Sequence, residues 1–171
     1  MGYDMSFVKS GDNDYFRLNI WGMGRYITLM RELGMVYASS SPGGWPEWKR
    51  YPDDEGRQGQ FESAQEHLKY GEALEESIPD DVMQAARDHV AAEDEILRHH
   101  PAGGRVIPSH KFSSNDGWVV TPDEITAALA VLDARTDTDE IAAYHTEDLD
   151  YWHDWISYLR RAVDAGGFEV H

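Results

Sequence analysis

"YFRLNIWGMGRYITLMRELG", residues 15–34, reads as a helix. Phe16, Ile20, Met23, Ile27 and Met30 recur at steps of three and four, the period of one helical face. Asn13 or Asp14 stands where a helix cap belongs, and Gly34 suits a left-handed stop. Gly22 and Gly24 work against this reading, since a glycine inside a helix costs roughly 1 kcal/mol relative to alanine. A helix keeps such glycines when another backbone packs close or when something must approach it.

Upstream, "GYDMSFV" (2–8) alternates Tyr3, Met5 and Phe7 with Asp4 and Ser6, the mark of a half-buried strand. Downstream, no period survives from Tyr37 to Gly59. Phe61, Ala64, Leu68 and Leu74 then suggest a modest helix, and "SIPDDVMQAARDHVAAEDEILRHH" (77–100) a stronger one with Pro79 in its first turn. "RVIP" (105–108) and "GWVVT" (117–121) are strand candidates around the turn "SSNDG". "TPDEI" (121–125) carries a capping box: Thr121 as cap, Pro122 at the first position and Glu124 at the third. A last helix runs from about 138 to 165 and stops at Gly166 and Gly167, leaving "FEV" as a final strand. The sum is α+β in a single domain of 171 residues. A small antiparallel sheet, drawn from the N-terminal strand, mid-chain strands and the C-terminal strand, is covered by four or five helices.

Composition narrows the function classes. Hydrophobic content of 41% supports a real core, and no apolar run approaches the roughly 18 residues of a membrane span. With no cysteine, thiolate metal sites and cysteine nucleophiles are excluded, and a cytoplasmic setting is expected. A net charge of −17 opposes direct contact with nucleic-acid phosphates or anionic membranes. The acidity reads either as solubility in a salt-adapted or high-GC host, or as a face for a basic partner or for imitating nucleic acid.

Candidate chemistry is sparse. No nucleotide loop, serine-hydrolase elbow or H-E-x-x-H motif is completed, so no catalytic residue and no cofactor are assigned. His89 with Glu93, and His145 with Asp148, have spacings at which two helices could hold a metal. Arg17, Asn19 and Arg25 on the first helix, with Lys111, Asn115 and Asp116 in the turn before Trp118, are candidates for a ligand-binding edge. The loop "SPGGWPEWKRYPDDEG" (41–56) is the candidate partner surface. Trp45, Trp48 and Tyr51 would anchor it, and Glu47, Asp53, Asp54 and Glu55 would rim it. The alternative is a lid pinned down by its own aromatics.

The segments "MGYD", "YFRLNIWGMGRY", "KFSSNDGWVVTPDEI" and "GGFEV" resemble a loose group of small bacterial and phage proteins with no established activity. The resemblance covers both ends and the middle, skips the 41–56 loop, and implies one compact domain whose termini meet. The expected function is a non-enzymatic acidic protein-binding module, such as an inhibitor, an immunity-type factor or a phage-encoded modulator. Its partner is a protein, a basic one if the charge is functional. The alternatives are a nucleic-acid-mimicking inhibitor and a small metal-dependent enzyme using the inward-facing histidines and carboxylates.

Overall fold

Residues 15–19 form a strand rather than the first turns of a helix. In the computed structural model, which describes residues 2–9, 15–51, 54–74 and 77–171, Phe16 and Leu18 are buried while Tyr15, Arg17 and Asn19 face outward. That alternation is the period of a half-buried strand. Phe16 and Ile20 also stand four apart, so the same letters fit both periods. The helix starts only at Ile20, where the Asn19 side chain accepts a hydrogen bond from Gly22 N at 2.7 Å. The caps expected at Asn13 or Asp14 lie outside the described residues.

In chain order the elements are β1 (Gly2–Phe7), β2 (Tyr15–Asn19), α1 (Ile20–Glu32), β3 (Val36–Tyr37), α2 (Glu55–Tyr70) and α3 (Asp80–Leu97). There follow β4 (Ile107–Pro108), a 3-10 turn (Ser109–Phe112), β5 (Trp118–Val120), α4 (Pro122–Asp133), α5 (Thr138–His145), α6 (Leu149–Asp164) and β6 (Phe168–Val170). The class is α+β, with an antiparallel sheet of order β2-β1-β6-β5 and a two-strand parallel pair, β3-β4. The chain divides into two compact units, Met1–Ser41 with Arg98–His171, and Pro42–Leu97. Among the described residues no helix is long and apolar enough to cross a membrane.

The first unit is built on the meeting of the chain ends. Met5 stands opposite Phe16 on one side and Val170 on the other, and all three side chains are buried. Gly167, at φ +93°, makes the close approach possible, because a β-carbon there would run into the Val120 carbonyl. α6 supplies most of the core: Trp152, Trp155, Tyr158 and Leu159 are buried, and Trp155 meets Phe16 at 5.2 Å and Phe168 at 5.8 Å between ring centroids. Each such ring stabilises the fold by on the order of 3 kcal/mol.

Two expectations are corrected. The last helix is broken into α5 and α6, because the Asp148 side chain accepts from Tyr151 N at 2.9 Å and starts a new helix. The strands flanking "SSNDG" do not pair as a hairpin. β4 runs parallel to β3, with Val36 opposite Ile107, while β5 joins β6. The turn itself is tied to β1, with Asn115 Nδ2 donating to Gly2 O at 3.0 Å.

In the second unit, α2 packs on α3 around Phe61, Ala64, Val82 and Ala86. α2 begins at Asp54, whose side chain accepts from Arg57 N at 3.0 Å, and ends at the left-handed Gly71 (φ +72°). Leu74 therefore falls beyond the helix.

Candidate binding groove on α1 and α5

The most exposed large apolar side chains lie on α1 and α5, not in the long loop. Trp21 is 82% exposed and Tyr144 86%, with Ile20 half-exposed beside them. α1 buries Met23, Tyr26, Leu29 and Met30, which leaves Trp21, Gly24, Arg25 and Thr28 on another face at steps of three, one and three. Ile20, Trp21, Gly24, Arg25, Thr28 and His145 line an open groove of about 620 Å³.

Two of the lining residues have their polar groups engaged within the chain. The Thr28 hydroxyl donates to Gly24 O at 3.0 Å, which removes a free polar group from the floor. His145, at the end of α5, is held by Glu32, with Nε2 2.6 Å from the carboxylate. Gly24 is a separate case. It has an ordinary helical conformation, and a β-carbon there would meet nothing within 4 Å. Among the described residues no turn and no neighbouring backbone requires this glycine, yet it costs the helix roughly 1 kcal/mol. Its effect is to leave the groove floor open.

No family model, no curated protein and no solved structure matches this chain. The chemistry of the site is therefore read from its own residues.

Of the six ligand-edge candidates only Arg25 reaches the groove. Arg17 lies on the exposed side of β2, 3.5 Å from Asp4, and its carbonyl accepts from the Tyr151 hydroxyl. Asn19 is the α1 cap. Asn115 is tied to β1 as above, and Asp116 accepts from Ser114 Oγ at 2.6 Å. Lys111 is corrected outright, being fully buried. Its ammonium donates to Val119 O at 2.6 Å and to both Glu124 carboxylate oxygens at 2.7 and 2.9 Å. The same carboxylate accepts from Thr121 N at 2.8 Å, closing the capping box, and lies 2.7 Å from His100 Nδ1.

The four proposed metal ligands do not assemble. His89 and Glu93 belong to the second unit, His145 and Asp148 to the first. His89 packs edge-on against Trp48 and Phe61, Glu93 pairs with Lys69 at 2.6 Å, and the other two are engaged as described. Among the described residues, no three His, Cys, Asp or Glu side chains come together to hold a metal ion.

Residues 38–51 are in part pinned. Trp45 and Trp48 are 41% and 49% exposed. The Trp48 ring stands edge-on to Phe61 at 5.8 Å, and Tyr51 meets the same ring at 6.1 Å while Arg57 covers its face at 5.2 Å. Asp54 caps α2, Glu55 sits in its first turn, Glu47 is exposed, and Asp53 lies outside the described residues. Trp48→Ala is expected to destabilise the α2–α3 unit by about 1–2 kcal/mol, seen as an earlier urea transition in the amide signals of α2.

One polar pair was invisible in the sequence. Ser39 Oγ and His110 Nδ1 share a hydrogen bond of 2.9 Å, and Ser39 Oγ also accepts from His110 N at 3.1 Å. These bonds, with Ser39 N donating to Ser109 Oγ at 3.1 Å, continue the β3-β4 pairing through side chains. His110 is buried, its ring edge-on to Trp118 at 4.9 Å, so the pair fixes the strand ends rather than presenting a nucleophile.

Proposed function

We propose that this protein is a non-enzymatic, acidic protein-binding module that acts by contacting another protein through the α1–α5 face. The observation that carries this reading is Trp21, an almost fully exposed tryptophan at an apolar groove, with Tyr144 and Ile20 nearby. Large aromatic side chains are the commonest interface anchors, and Ile20 and Trp21 expose their apolar surface side by side in one groove rather than singly. The groove is open rather than enclosed, which suits the insertion of side chains from a partner better than the capture of a small substrate. An inhibitor, an immunity-type factor or a phage-encoded modulator all work by such occlusion. A cysteine-free chain suits a reducing cytoplasm.

The test is photo-crosslinking from position 28, in the same groove with Trp21 left intact, in lysate of the host, followed by affinity measurement with the captured protein. Trp21→Ala is expected to weaken binding roughly thirtyfold, the loss of about 2 kcal/mol typical of an anchor, with unchanged thermal stability. A partner whose affinity ignores Trp21, or the absence of any partner, would overturn the reading.

A further inference from the structure

We infer that the groove receives the apolar face of a basic amphipathic helix from the protein partner, crossing α1 at Gly24 and setting its lysines and arginines against the carboxylates of α5 and α6. This rests on the protein-binding reading above and adds the chemistry of the partner. Three features carry it. The first is Gly24, an internal helix glycine that no contact among the described residues explains; removing its β-carbon lets an incoming backbone approach α1 closely. The second is the lining, with Ile20 and Trp21 as apolar walls and a Thr28 hydroxyl already satisfied by α1 itself. That surface matches anchors spaced i, i+3 and i+4 on a bound helix.

The third feature is charge. From residue 136 to 159 the chain has no lysine or arginine, while Asp139, Glu140, Glu147, Asp148, Asp150 and Asp154 are all exposed on or between α5 and α6. α5 also supplies His145 to the groove and presents Tyr144. Glu147 and Asp148 follow within three residues of His145, which lines the groove, and a basic occupant is steered toward these carboxylates at low salt. A second copy of the chain would instead bring −17 against −17. Arg25, for which no ion pair is found among the described residues, lines the groove and is left to donate to the free carbonyls of the bound helix's last turn.

The experiment titrates the full-length protein at physiological salt with three short synthetic peptides: a Lys–Leu amphipathic helix, a Glu–Leu helix of the same pattern, and a Lys–Gly peptide of the same charge. The Lys–Leu helix is expected to bind and to shift the amide signals of residues 20–28 and 144–147. Gly24→Leu is expected to weaken it at least roughly tenfold without loss of thermal stability. The combined Glu140→Gln, Glu147→Gln and Asp150→Asn variant is expected to weaken it several-fold and to flatten its salt dependence. Equal binding of the Glu–Leu or Lys–Gly peptide, no effect of Gly24→Leu, or self-association by light scattering that Gly24→Leu abolishes would each overturn the inference. A captured partner that depends on Trp21 but docks through an acidic or uncharged segment would overturn it while leaving the protein-binding reading intact. If no partner depends on Trp21, both fall.

Discussion

Lys111→Met is expected to destabilise the sheet-bearing unit by about 3–5 kcal/mol, the range for breaking a buried ion pair from one side. Methionine replaces the aliphatic stem well, so the loss isolates the charge. Glu124 would stay buried with Thr121 N–H and His100 as its remaining donors. Val119 O would lose a 2.6 Å partner inside the core. Burial lowers the Lys111 pKa from the ordinary lysine value, and Glu124 acts in the opposite direction, so the ammonium depends on that carboxylate to stay charged. The decisive comparison is the double variant Lys111→Met with Glu124→Gln. Glutamine keeps the capping-box geometry and removes the orphaned charge, so the double variant is expected to be more stable than Lys111→Met alone. Urea unfolding of all four proteins closes the cycle. Additive losses would mean that the pair is not coupled.

The same network shows what the sequence could and could not disclose. The capping box at Thr121–Glu124 was legible because it is local: four consecutive positions name both donors and both acceptors. The burial of Lys111 was not, since a lysine between histidine and serine-rich turn residues looks solvated. Its partner lies thirteen residues away, on a helix whose packing is a tertiary fact. A weak clue existed in the apolar runs on both sides, "VIP" and "WVV". β2 was misread for a different reason. Phe16, Leu18 and Ile20 satisfy a period of two, Phe16 and Ile20 also satisfy a step of four, and only pairing with β1 decides between them. β3 and β4 are two residues each, too short for any period to reveal.

The groove was half legible. Gly24 and Arg25 stood out from the α1 sequence, Gly24 as a glycine in need of an explanation. The face carrying Trp21 was hidden by the wrong helix start, because placing Phe16 and Ile20 on the buried stripe rotates the expected surface. The observed stripe, Met23, Tyr26, Leu29, Met30 and Leu33, puts Trp21 outside. For the 41–56 loop, the sequence left the choice between lid and binding surface open. Trp48 and Tyr51 now have partners on Phe61, which favours the pinned form for that end of the loop.

Below neutral pH the first unit is expected to lose stability through His110. Burial, with the neighbouring Lys111 charge next in size, lowers its pKa from 6.5 to about 4. Among the other charged groups acting on the ring, His99 and His100 lower the value further and Glu124 raises it. The sign follows from proton counting. Between about 4 and 6.5 the unfolded chain binds a proton that the folded chain refuses, so stability is full above 6.5 and falls as the pH drops toward 4. The loss through this one group reaches about 3 kcal/mol. The geometry supplies the reason, since Nε2 is buried with no hydrogen-bond partner among the described residues, and Nδ1 is committed to Ser39. A second ring proton therefore has nowhere to be solvated. His110→Asn, which retains a polar atom near the Nδ1 position, is expected to cost stability at pH 7 through the lost ring packing on Trp118. It is also expected to flatten the pH dependence between 6.5 and 4 by up to one proton. NMR titration of the folded protein reads the same quantity directly: the His110 ring signals should stay in the neutral form until the pH falls below about 5. A His110 that titrates near 6.5 in the folded protein, or an acid transition that His110→Asn leaves unmoved, would show that the ring is solvated and that carboxylate protonation alone drives acid unfolding.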